Sequence, residues 1–473
     1  MVKDDSYRAV MDRRNEIMKR AIGMDYSSFE ISPLSFDYEA LMSSTGYSLE
    51  DCIRIQSDAG VGKTPLLELK NLTSVARLIA GGRKGARIFI KDEASNPSGS
   101  FKDRRAAISV HHAKKLGYSG VVAATSGNYG AAAASQAAMK NLKCIVLQEC
   151  FDSRGIGQPE ILEKQRKCEA LGAEVIQLSV GPELFHTFLL TLEETGYFNA
   201  SLYSSFGIAG IETLGYEIAE ETRRRFGRYP EAVVVTHAGG GNLTGTARGL
   251  IKAGAAETKV IGASVDLTGL HMASDTDFNR KSFTTGHTGF GVPFATYPDR
   301  SDVPRSAARP LRYMDRYVTV RQGEVFYMTE ALAQLEGLER GPAGNTSLAA
   351  AFALSLEMDK DEIIVVQETE YTGAGKHHLS QLSFARRNGI EISVGDPRTE
   401  VPGRSIVLPS SPGLIRPVEM DIMKLRKSLA GNLLSMRDIR TAGHEDIRFL
   451  MEETRLGRNE VIGILDGFGI IHP

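Results

Sequence analysis

Over most of the chain, hydrophobic and polar positions alternate in two rhythms. Short apolar runs rich in Val, Ile and Ala are bounded by Gly, Asn and Pro. Each gives way to a segment with helical spacing. Buried-type strands are predicted at residues 88–90, 120–125, 143–148, 174–180, 232–236 and 362–367. Helices are predicted at 104–116, 128–140, 159–171, 208–226 and 324–337, and an alanine-rich helix follows the GPAGNTS segment 341–347. Such repetition predicts parallel sheets covered on both faces, the α/β class.

The rhythm is lost in three places. Residues 1–50 are charged, with scattered apolar positions and short helical signals. From Asp396 the composition shifts to the linker-like PRTEVPGRS and LPSSPG, then to short helical patterns up to Pro473. Between Asp266 and Tyr317 the chain is rich in Thr, Gly, Pro and Asp, and a run of about fifty residues without clear elements reads as a lid or binding loop. That run holds Arg300, Arg305, Arg309, Arg312 and Arg316. Such a cluster suits the phosphates of coenzyme A, or is a solvated surface. The expected organisation is an N-terminal extension (1–50), an N-terminal α/β lobe (51–206), a C-terminal α/β lobe (207–396) and a helical C-terminal extension (397–473).

Composition narrows the function. The 473 residues are 42% hydrophobic and 24% charged, with a formal charge of −2. That argues against nucleic acid or an anionic membrane as a bulk partner. No apolar run reaches the roughly 18 residues of a membrane span. The N-terminus, MVKDDSYRAVMDRRNE, is too charged for a secretory signal. Cys52, Cys144, Cys150 and Cys168 show no CxxC spacing and read as reduced cytosolic thiols. No metal constellation stands out among the ten histidines.

Candidate chemistry centres on KDEASNPSGSFKDRR, residues 91–105. Asn96, Pro97, Ser98 and Gly99 force a loop between a strand and a helix. Lys102 therefore stands near a helix N-terminus, whose positive end disfavours a charged ammonium. Partial burial would lower its pKa further, and a partly neutral lysine can form a Schiff base. At TSGNYG (125–130), small residues admit a flat ring, and Asn128 can hydrogen-bond a phenolic oxygen. The same segment also reads as a strand–turn–helix junction with an Asn cap. In HAGGGNLTGTARG, three glycines (Gly239, Gly240, Gly241) followed by Asn242, Leu243 and Thr244 open a helix, forming an anion nest suited to a phosphate. GVGKT (60–64) is not a Walker A loop, because Ser57 stands where its first Gly is needed and Pro65 follows at once.

These segments carry a resemblance. NPSGSFKDR, GKTPLLEL, TSGN and the glycine turn resemble the fold-type II pyridoxal-phosphate enzymes, and SFKDR is similar to the threonine synthase branch. The resemblance covers roughly residues 60–390. It implies two parallel-sheet lobes with pyridoxal 5'-phosphate between them, Lys102 in the first lobe and the phosphate cup in the second. It implies that Lys102 is the Schiff-base and catalytic lysine and that Asn128 contacts the cofactor's 3'-oxygen. Gly239, Gly240, Gly241, Asn242, Leu243 and Thr244 would hold the phosphate, and Ser126, Gly127 and Tyr129 would face the substrate carboxylate. TGAG resembles the family segment whose hydroxyl meets the pyridine nitrogen, which makes Thr372 the candidate, with Glu368 and Glu370 nearby. The whole chain, extensions included, is similar to the 2-amino-4-oxopentanoate thiolase β-subunit family of ornithine degradation. That similarity implies thiolytic cleavage with coenzyme A to acetyl-CoA and alanine, through a ketimine and a Cβ carbanion held as an enamine. It also implies a homodimer joined to a small α subunit. A threonine or cysteate synthase-like replacement, a pyridoxal-phosphate ammonia-lyase, and a regulatory subunit on the same fold are the alternatives.

Overall fold

The computed structural model describes residues 4–125, 127–267, 269, 275, 277–289, 293–299, 302–371 and 378–473. In chain order the strands are β1 (Leu66–Glu68), β2 (Arg87–Asp92), β3 (Gly120–Thr125), β4 (Lys143–Phe151), β5 (Glu174–Ser179), β6 (Phe198–Asn199) and β7 (Ala232–Thr236). They continue with β8 (Lys259–Val265), β9 (Arg316–Val320), β10 (Ile363–Glu368), β11 (Glu391–Gly395), β12 (Ser405–Pro409) and β13 (Val418–Glu419). Among the described residues they form a seven-stranded sheet, β1-β2-β10-β7-β8-β9-β13, a four-stranded sheet, β5-β4-β3-β6, and a β11-β12 pair.

The four-stranded sheet is parallel throughout, and so are the five central strands of the large one. β1 and β13 close the large sheet as antiparallel edges. The continuous apolar runs explain the coverage of both faces. With a side-chain period of two, Phe89, Val233, Val235, Ile363 and Val365 join one hydrophobic core. Ile88, Ile90, Val234, Ile364 and Val366 join another on the opposite face. Each such side chain, 0% exposed, contributes about 1.5–3 kcal/mol by leaving water.

The sheets divide the chain differently from a single cut after residue 206. β1 and β2 lie in the first half of the sequence but pair into the large sheet, where β2 runs parallel to β10. The strand before Lys102 therefore belongs to one sheet, while β3, after its helix, belongs to the other. The lysine loop is the crossing between them.

Among the described arginines of this segment, two are buried and most are paired with carboxylates. Arg305 and Arg309 are each 3% exposed. Arg309 pairs with Asp299 at 3.2 Å and with Glu453. Arg312 reaches Glu453 and Glu452, each at 3.1 Å, and Arg316 reaches Glu419 at 2.9 Å. Arg300 lies outside the described residues. The carboxylates come largely from the C-terminal extension, whose helices Ile422–Met436, His444–Thr454 and Arg458–Gly467 share the first core with the N-terminal arm. Tyr38 stacks on Phe449 with ring centroids 6.3 Å apart, and Ser35 donates to Asp446 at 2.6 Å. The two extensions clasp one another over the arginine segment.

Candidate active site

The candidate groups meet at the carboxyl ends of parallel strands, where ligands bind in open α/β sheets. The loop after β2 is tied down by its neighbours. Asn96 Oδ1 accepts from Gly62 N at 3.0 Å, and its amide donates to the Glu93 carbonyl and carboxylate, each at 2.9 Å. Phe101 N donates to Thr369 O, and Tyr371 N donates to Gly99 O. Gly99 takes φ +78°, and a Cβ there would collide with the Tyr371 carbonyl. That turn delivers Lys102 as the first residue of the helix Lys102–Lys115.

Beneath it, Arg104 is 0% exposed and donates to Glu93 at 2.7 and 2.8 Å and to Glu217 at 3.0 and 2.8 Å. Glu217 belongs to the helix Ser205–Phe226, so this ion pair fastens the lysine helix to the element that packs under the glycine turn. Close contact between that helix and the next, Gly241–Lys252, depends on Gly249, where a Cβ would collide with the Glu212 carbonyl.

Lys102, Gly127, Asn128, Gly239, Gly240, Gly241 and Asn242 line one cavity of about 600 Å³. Burial holds the Lys102 amine well below the usual lysine range, and the cations Arg105 and Lys164 push in the same direction. Asn128 opens the helix Asn128–Met139; its Nδ2 donates to Glu370 at 3.1 Å and its Oδ1 is buried without a partner. Asn242 likewise has neither side-chain polar atom bonded. Gly240 takes φ +81°, the left-handed turn that aims the following N–H groups at the cavity. An amine, a glycine turn at a helix N-terminus and unpartnered polar atoms on Asn128 and Asn242, all lining one cavity, fit a phosphorylated aromatic aldehyde.

Other candidates stand differently. Tyr129 lines the cavity too, but its hydroxyl donates to Ala200 O at 2.5 Å and so points into the lobe. Leu243 is a core residue. The Thr244 hydroxyl donates to Gly240 O at 2.9 Å and accepts from Arg309 N at 2.9 Å, so it braces the turn from behind. Ser126 and Thr372 lie outside the described residues. At the end of β10, burial raises the Glu368 carboxyl well above its ordinary range, helped by the nearby Glu370 and Asp92.

The structure adds residues that motifs did not reveal. Arg105 lines the cavity from the lysine helix. Lys164 lines it from the helix Pro159–Ala170, held by Glu160 at 2.5 Å, and its Nζ lies 3.1 Å from where a Cβ on Gly127 would stand. His287, on the same wall, is held down to about 4 by burial and by Lys164. For Arg105 a signal existed, because a residue three positions after Lys102 shares its helix face.

Comparison with known proteins bears on the family. The model of the pyridoxal-phosphate dependent enzyme family matches residues 58–370. The 2-amino-4-ketopentanoate thiolase beta subunit of Acetoanaerobium sticklandii is 70% identical over 455 residues, covering 96% of this chain and 97% of that protein. A second 2-amino-4-ketopentanoate thiolase beta subunit, from an unknown prokaryotic organism, is 65% identical over 470 residues, 99% of this chain and 100% of that protein. Among solved structures, a T.th. threonine deaminase superposes with a TM-score of 0.52 at 23% identity, covering 69% of this chain and 100% of its own. With the family model matching residues 58–370 and both relatives similar over nearly the whole chain, the chain belongs to the pyridoxal-phosphate dependent enzyme family.

Proposed function

We propose that the chain is the β-type subunit of a cytoplasmic thiolase that splits 2-amino-4-oxopentanoate with coenzyme A into acetyl-CoA and alanine, together with a small second subunit. The observation that carries this reading is the reach of the similarity. It runs through both extensions as well as the catalytic body shared with the wider family. In this chain those extensions clasp over the arginine segment.

In the reaction the C3–C4 bond breaks with its electron pair left on C3, sulfur bonds to C4, and the thiol proton is accounted for at C3. The bound cofactor supplies an electron sink conjugated to the amino-acid carbons. The Lys102 amine, whose proton affinity burial lowers, takes the proton from Cα and restores it there after cleavage, and it passes the thiol proton to C3. The turn at Gly127 and Asn128, with the ammonium of Lys164 beside it, receives the substrate carboxylate. The Asn128 amide, anchored by Glu370, would hold the cofactor's phenolic oxygen. Asn242 and the turn Gly239–Gly241 would hold its phosphate.

The test is formation of alanine and acetyl-CoA from 2-amino-4-oxopentanoate and coenzyme A, by this chain alone and by the chain purified with the small protein it retains. Product from the pair is the expected result. No product from either preparation, with turnover of O-phosphohomoserine or O-phosphoserine instead, would overturn the reading.

A further inference from the structure

The helix that opens with Lys102 carries Arg105 three positions later, so both side chains project from one face. Arg105 is 1% exposed and lines the same cavity. Its Nε and Nη2 are buried with no hydrogen-bond partner, and among the described residues it forms no ion pair. Burial pushes its guanidinium down to about 10, still charged at neutral pH, against the Tyr203 and Tyr129 hydroxyls, and Lys102 is a titratable neighbour on the same helix. A buried charge without a counterion is costly, and an anion that completes it recovers much of that cost.

The position of the fork identifies the anion. A Cβ on Gly241 would collide with Arg105 Nη2, so the guanidinium lies directly against the glycine turn at the N-terminus of the helix Gly241–Lys252. The substrate-carboxylate end of the cavity already has its own cation in Lys164, beside Gly127. A planar guanidinium matches two phosphate oxygens at once.

We propose that Arg105 is the charged anchor of the cofactor phosphate, completing a cup otherwise built of backbone N–H groups and Asn242. The glycine turn supplies partial charges; Arg105 supplies a whole one. Lys102 and Arg105, on one helix, then hold the two ends of the same cofactor. The inference rests on the cofactor that the family supplies and not on the thiolytic reaction, so its failure leaves the thiolase reading untouched.

The test titrates the full-length chain, freed of cofactor, with pyridoxal phosphate and with pyridoxal, which lacks the phosphate, following visible absorbance. In Arg105→Met the dissociation constant for pyridoxal phosphate is expected to rise about 10- to 100-fold, while that for pyridoxal stays within about twofold. Arg105→Lys, which keeps the charge and loses the fork, should fall between. The ³¹P resonance of the bound phosphate should titrate at higher pH in Arg105→Met than in the unaltered protein. If Arg105→Met does not fold, Arg105→Gln carries the same comparison. Equal weakening of both ligands, or unchanged pyridoxal-phosphate affinity with a raised KM for the amino acid, would overturn the proposal.

Discussion

Arg104 and Arg105 are consecutive on one helix and almost equally buried, yet the fold treats them in opposite ways. Arg104 has every direction of its fork filled by Glu93, Glu217, Thr213 and Thr64. Arg105 has Nε and Nη2 unpaired. A turn of about 100° per residue separates the two functions: one guanidinium looks into the protein, the other into the cavity. The first fixes the helix and the second waits for an anion.

Removal of the Arg104 side chain is expected to be costly. In Arg104→Met, Glu93, which is 0% exposed, and Glu217 lose the cation that lies between them. Breaking a buried pair in this way costs roughly 3–5 kcal/mol. Urea denaturation should show a loss of that size, and much of it should return when Glu93→Gln is added. A loss below about 1 kcal/mol would mean that the network does not hold the helix.

Asp103, in the first turn of the lysine helix and accepting from Ser98 N, gives a stability prediction with a defined sign. Burial raises its carboxyl to about 7, against the opposing hydrogen bonds from Ser98. The unfolded chain ionises this group near the ordinary value of 3.8, so from there up to about 7 the unfolded state holds fewer protons than the folded state. The group therefore lowers stability progressively over that window, and not below it. Asp103→Asn, neutral at every pH, should gain melting temperature relative to the unaltered protein as pH rises from about 4 to about 7 and hold a constant gain above. A gain independent of pH would show that the buried carboxyl is not the cause.

The clasp is linked to the phosphate turn through a short chain of contacts. Glu453 holds the Arg309 side chain, Arg309 N donates to Thr244 Oγ1, and Thr244 donates to Gly240 O. Glu453→Ala takes one carboxylate from two arginines at once, leaving Arg309 with Asp299 and Arg312 with Glu452. Stability should fall by roughly 3 kcal/mol or more, and cofactor affinity by a few-fold. Phe449→Ala, which loosens the same clasp by about 3–5 kcal/mol without touching Arg309, should lower stability with a smaller effect on the cofactor. Equal cofactor affinities in the two variants would refute the link.

Local chemistry made half of this site legible in the sequence. Turn formers before Lys102 and three glycines before Asn242 dictate backbone shape where they stand, so the lysine loop and the cup could be read in place. Continuous apolar runs such as Ile363–Glu368 announced parallel strands for the same reason. What escaped was set by long-range partnership. Arg309 and Arg312 find Glu453 some 140 positions away, and β2 finds β10 across most of the chain. Tyr129 is adjacent to Asn128 and borders the cavity, yet its hydroxyl is committed to Ala200 O, a partner 71 positions away. Lys164 and His287 reach the cavity from elements whose placement no local pattern records.

Lys164 offers the sharpest separation between binding the substrate and binding the cofactor. It stands beside Gly127 and is neutralised by Glu160 in a buried i,i+4 pair. Its loss alone would strand that carboxylate, so the informative variant is Lys164→Met with Glu160→Gln, which removes both charges together. If the ammonium receives the substrate carboxylate, KM for the amino acid should rise at least about 10-fold, as expected for a charge-assisted contact. Pyridoxal-phosphate affinity and the visible band given by Lys102 should persist. Lys102→Ala should behave oppositely, losing the band and turnover together. A variant at 164 and 160 with unchanged KM would move the carboxylate to another wall of the cavity; one that loses its cofactor would place Lys164 among the groups that hold the ring.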